Sequence, residues 1–147
     1  MSSRPVLPYM LGIAGLVPFV GLAILAQFLI HQTGEAINVF LLAYGAVILA
    51  FLGGTRWGAE IHRNPETPNS MVLALAMLPP LAGWAALIIE VMMASDLAYA
   101  ILIAGLMLQF LWDAAAIRNG TFPAWYMPLR LLLTLVASAS LTVPVIF

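Results

Sequence analysis

The chain has 147 residues, 64% of them hydrophobic and 7% charged, and its mean hydropathy is +1.08, a composition that cannot furnish the charged surface of a water-soluble domain. The formal net charge of −1, the sequence pI near 6.0 and the complete lack of lysine leave no basic surface for nucleic acid. The lack of cysteine removes disulfides, thiolate catalysis and thiolate metal sites together.

A helix needs about 20 apolar residues, at 1.5 Å each, to cross a ~30 Å hydrocarbon core. The chain therefore reads as all-α, a single transmembrane domain over 1–147 with about five spans and no length left for a soluble domain. The first run, 6–30, has Pro8 near its start and Pro18 in its middle, where a missing donor and a ring clash predict a bend. Arg4 ahead of it gives the look of a signal peptide. The run is long, however, and lacks a small-residue cleavage site before a soluble domain, so it reads as a retained span. His31 to Glu35 form a polar turn, and the second run, 36–55, ends where Arg56 appears.

The stretch Gly58 to Ser70 is the most polar of the chain; Pro65 and Pro68 make it a loop, and Asn69 or Ser70 is placed to cap the next helix. The third run, 71–89, carries Pro79 and Pro80 side by side, which predicts a kink or break deep in the membrane. Glu90 and Asp96 mark the next turn. The fourth run, 97–117, stops at Asn119-Gly120, and the fifth covers 124–146.

With five spans, all five arginines fall on one side: Arg4, Arg56, Arg63, Arg118 and Arg130. The other side receives Glu35, Glu90 and Asp96. Cytoplasmic flanks accumulate arginine, so the N-terminus is expected in the cytoplasm and the C-terminus outside. Trp57, Trp112 and Trp125 lie at the same inner boundary, as an interfacial belt would. The acceptor pattern Asn119-Gly120-Thr121 is discounted because this topology keeps it cytoplasmic.

Two groups of residues stand out. Ala43, Ala46, Ala50, Gly54 and Gly58 advance by three or four along the second run and predict a helix-packing stripe, within the bundle or at a dimer face. At the inner boundary, Arg56 and Glu60, Gln109 and Asp113, and Arg130 reach the same depth from three helices. Ionisable groups in hydrocarbon must be paired or wet, so Asp113 is expected to pair with Arg130 or Arg56, either as topology and packing devices or as a head-group or anion site. His31 and His62 fall on opposite sides and cannot share a metal; no metal or cofactor is expected. Ser138 and Ser140, with no base near them in sequence, are expected to bond to backbone carbonyls or to pack as small residues.

Three stretches, Leu11–Val20, Ala43–Gly58 and Phe122–Ser138, resemble the family catalogued as domain of unknown function 3429. The elements that carry the likeness are Gly53, Gly54, Arg56, Trp57 and Gly58 in one stretch, and Pro123, Trp125, Leu129 and Arg130 in the other. The resemblance covers essentially the whole chain and implies a small polytopic protein of a bacterial inner membrane with eukaryotic transmembrane relatives. It implies no reaction. Together with the charge pattern it adds Trp57 and Trp125 to Arg56, Glu60, Asp113 and Arg130 as candidate site residues. Without a catalytic set, the chain is expected to be a non-catalytic membrane component, interacting with lipid, a membrane-protein partner or a second copy; a small transporter or ligand-binding protein with a polar site at the cytoplasmic boundary is the alternative.

Overall fold

The computed structural model describes residues 5–29 and 34–146, without the side chains of residues 34 and 35, so Arg4, His31 and the side chain of Glu35 lie outside it. Six helices follow one another: α1 (Val6–Phe28), α2 (Gly34–Arg63), α3 (Ser70–Ala76), α4 (Leu78–Met93), α5 (Asp96–Arg118) and α6 (Tyr126–Ile146). The helices α3 and α4 act as one broken span, giving five segments long and apolar enough to cross a bilayer, and no strand occurs among the described residues. The protein is a multi-pass helical membrane protein whose surroundings are lipid.

Polarity proves a poor guide to where α2 ends. The apolar run predicts a stop at residue 55 and a loop from Gly58, yet the helix continues to Arg63. Thirty residues make a helix of about 45 Å, longer than the hydrocarbon core, so the polar residues mark where α2 leaves the lipid. The break in the third span falls where two missing donors predict it. Met77 ends α3 and starts α4, with Pro79 and Pro80 in the first turn of α4, where their lost N–H groups cost least. Asn69 caps α3, its side-chain oxygen accepting from Met71 N at 3.0 Å and Val72 N at 3.4 Å.

Gly53 of α2 sits in this break. A Cβ there would lie 2.6 Å from the Ala76 carbonyl oxygen and 3.0 Å from Pro80 Cδ, so only glycine lets the backbones approach so closely. One further contact, Ala46 against Gly83 of α4, lies two turns away on the same face. The expected packing stripe therefore divides. Ala46 is buried and Ala43 and Ala50 are half-buried, but Gly54 and Gly58 are exposed, with open space where a Cβ would be. Steps of four residues drift by about 40° each on a helix of 3.6 residues per turn, so by Gly58 the stripe has turned about 120° from Ala46. A step of seven, from Ala46 to Gly53, returns to the same face.

Helix α2 packs against α1, α4, α5 and α6, while α1 with α6, α6 with α5 and α5 with α4 form an arc around it that stays open between α1 and α4. The core is aliphatic and centred on α2 and α5: Leu41, Leu42, Leu49, Leu102, Leu106 and Leu141 are fully buried. The buried stripe of α5 runs Ala98, Leu102, Leu106, Gln109, Asp113, Ala116, a helical period carried without interruption from apolar into polar residues. This continuity draws Gln109 and Asp113 into the bundle.

Candidate functional site

The site lies where α2, α5 and α6 meet, at the arginine-bearing end. Asp113 is 1% exposed and Arg130 2%, and Arg130 Nε donates to Asp113 Oδ2 at 2.8 Å, the only salt bridge among the described residues. The other carboxylate oxygen accepts from Gln109 Nε2 at 3.1 Å, one turn back on α5. That amide also reaches the Leu52 carbonyl of α2 at 3.4 Å, and Arg130 NH1 reaches Thr134 Oγ1 at 3.3 Å, one turn on along α6. The carboxylate and the Gln109 amide together link three helices. A lone charge in such a place is expensive; here both carboxylate oxygens have donors while Arg130 NH2 is left without a partner among the described residues, and removal of one member of the pair is costly.

Arg56 belongs to the same end but not to that network. It is 7% exposed, and its Nε and NH1 are buried with no hydrogen-bond partner among the described residues. Its guanidinium lies over the Trp112 ring, 4.2 Å from the centroid, and 5.5 Å from that of Phe122. The aromatic faces supply attraction to a cation, not acceptors for its N–H groups. Of the two pairings left open by the sequence, Asp113 with Arg130 forms and Asp113 with Arg56 is at electrostatic range only.

The other expected site residues separate from this centre. Glu60 Oε1 accepts from Asn64 Nδ2 at 2.8 Å and from the Asn69 backbone N at 2.7 Å, closing the loop after α2 instead of pairing with an arginine. Trp57 is 37% exposed on the outer side of α2, next in sequence to Arg56 and therefore about 100° away around the helix. Trp125 stands between Tyr9 and Tyr126, with ring centroids at 6.4 and 5.9 Å, and its carbonyl accepts from Tyr9 Oη at 3.0 Å. It clips the start of α1 to the α5–α6 connection.

Sequence reasoning missed Thr134, the aromatic shelf of Trp112 and Phe122, and the hydrogen bond from Arg63 NH1 to Thr121 Oγ1. Thr134 could have been found, being four residues beyond Arg130; a loop threonine meeting α2 has no local signature. Ser140 does bond to a carbonyl, that of Val136, at 2.9 Å, while Ser138 Oγ is buried without a partner among the described residues.

Beside Arg130 a cavity of ≈320 Å³ opens between α1, α2 and α6, its walls almost wholly apolar, with Leu11, Leu16, Phe51 and Leu133 along it and Thr134 and Arg130 at its polar side. A second, more polar pocket of ≈270 Å³ lies beyond Arg56, lined also by Arg63, Glu60, Trp112, Asn119 and Thr121.

Fold and centre together define a polytopic helical membrane protein braced by a buried ion pair. The chain belongs to the protein family of unknown function DUF3429, whose model matches residues 4–146. It is similar to Transmembrane protein 69 of Xenopus tropicalis, 39% identical over 135 residues, which are 89% of this chain and 50% of that protein. It is likewise similar to Transmembrane protein 69 of Mus musculus, 36% identical over 141 residues, 91% of this chain and 53% of that protein. The chain spans about half the length of these curated relatives. No solved structure matches it.

Proposed function

We propose that the protein is a non-catalytic, lipid-interacting component of the cell inner membrane, with its arginine-bearing end in the cytoplasm. The observation that carries the lipid reading is the ≈320 Å³ apolar cavity between α1, α2 and α6, whose volume and lining suit part of an acyl chain with its polar end towards Thr134 and Arg130. The ion pair at its edge braces the walls. Orientation rests on Arg56, Arg63, Arg118 and Arg130 at one end of the bundle and Glu90 and Asp96 at the other, and inner-membrane placement on spans that are helices, outer membranes favouring barrels.

The test is retention of lipid by the full chain purified in mild detergent, read by native mass spectrometry. Gly15 lines the cavity, and a Cβ there meets nothing closer than 3.9 Å, so Gly15→Leu fills the space without a backbone clash. Wild type retains a lipid and Gly15→Leu loses it. Equal retention by the two would contradict the proposal. Movement of a solute across proteoliposomes that disappears in the Arg56→Ala, Arg130→Ala double variant would favour the transporter reading instead, for which the break at Met77 is the supporting feature. A reporter fused to the C-terminus must be active only outside the cytoplasm if the orientation holds.

A further inference from the structure

We propose that the pocket beyond Arg56 is a phosphate-binding site, with the Arg56 guanidinium as its buried anchor. Arg56 carries a full charge that no described carboxylate neutralises by contact. The Asp113 oxygens are taken by Arg130 Nε and Gln109 Nε2, and the Glu60 oxygen that faces the loop is taken by Asn64 and the Asn69 backbone. The Trp112 ring attracts the guanidinium through its aromatic face and offers its N–H groups no oxygen or nitrogen acceptor. Nε and NH1 are buried without partners. An arginine sunk to 7% exposure with unmet donors is a costly feature that an anion would resolve.

The surroundings select the kind of anion. The ≈270 Å³ pocket that Arg56 lines is shared with Arg63, Asn119 and Thr121, from α2 and from the connection after α5; Arg63 NH1 already donates to Thr121 Oγ1, which leaves the other Arg63 N–H groups and the Thr121 hydroxyl proton for a ligand. Donors arriving from different elements suit a tetrahedral oxyanion with several acceptor oxygens better than a planar carboxylate. Two arginines against Glu60 leave one net positive charge in the lining, which matches the single negative charge of a phosphodiester. The pocket lies where α2 leaves the hydrocarbon, at the depth of lipid head groups, so the expected source is an anionic phospholipid; free phosphate shares the chemistry.

This site is separate from the acyl-chain cavity, and its test reads head-group preference, not lipid retention as such. The full chain in detergent is titrated with phosphatidylglycerol, with phosphatidylcholine and with inorganic phosphate, following bound lipid by native mass spectrometry and thermal stability alongside. Wild type is expected to hold phosphatidylglycerol about tenfold more tightly than phosphatidylcholine, and Arg56→Gln to abolish that preference. Arg118→Gln, which removes an exposed arginine of the same end, leaves the preference intact. Arg56→Lys keeps the charge but loses the planar fork and falls between; with Thr121→Val, it keeps the test decisive if Arg56→Gln does not fold. Saturable stabilisation by inorganic phosphate that Arg56→Lys weakens supports the site and assigns it a soluble source. The proposal is overturned if wild type shows neither lipid preference nor phosphate stabilisation, or if Arg118→Gln lowers the preference as much as Arg56→Gln.

Discussion

Arg130 and Arg56 are the same residue type, at the same end of the bundle, both more than nine-tenths buried, and they live in opposite circumstances. Arg130 has a carboxylate at 2.8 Å and a threonine one turn along, so its charge is answered within the fold even though its NH2 is buried without a partner among the described residues. Arg56 has two aromatic faces and unmet donors. The difference teaches that burial alone does not tell a structural arginine from a binding one; what matters is whether acceptors inside the chain use its donors.

Substitutions can break this contrast or sharpen it. The largest effect is expected at the paired arginine: Arg130→Met strands the Asp113 carboxylate and should cost about 3–5 kcal/mol, read by reversible unfolding in mixed micelles. Asp113→Leu together with Arg130→Met should recover most of it, because an apolar pair of similar volume replaces the ions. Gly53→Ala comes next, at about 1–3 kcal/mol, since its methyl would meet the Ala76 carbonyl oxygen at 2.6 Å. Its neighbour Gly54 has open space instead, and Gly54→Ala should be neutral or stabilising by up to about 1 kcal/mol through the unfolded chain. Gln109→Leu leaves one Asp113 oxygen without its donor, for about 1–2 kcal/mol. A similarly small change is expected at Arg56 itself in phosphate-free micelles: Arg56→Gln loses the cation–π contact but also relieves an unanswered charge, netting under about 1 kcal/mol.

How far the sequence reveals this architecture differs from feature to feature. Five spans and the break in the third follow from the lengths of the apolar runs and from Pro79-Pro80, because bilayer thickness and the missing proline donors act locally. The end of α2 was not legible, since lipid depth and helix length are different quantities and the polar stretch reports only the first. The packing stripe was half legible: a rule of small residues at steps of four finds Ala46 but follows the drift to Gly54 and misses Gly53. Asp113 and Arg130 could be brought to one depth from sequence, yet choosing between Arg130 and Arg56 needs the rotation of three helices about their axes, which one chain's pattern does not encode. Trp57 and Trp125 drew weight through the family-like motifs; one turns outward and the other clips α1 to the turn before α6.

The central claim is that the polar end of the bundle divides into an internal brace and an arginine left for an outside anion. A pair of double-mutant cycles, Asp113 with Arg130 and Asp113 with Arg56, measured by unfolding in the same phosphate-free micelles, tests it directly. The account predicts a coupling of at least about 3 kcal/mol for the first pair and less than about 0.5 kcal/mol for the second. Equal couplings, or a larger one with Arg56, would contradict it.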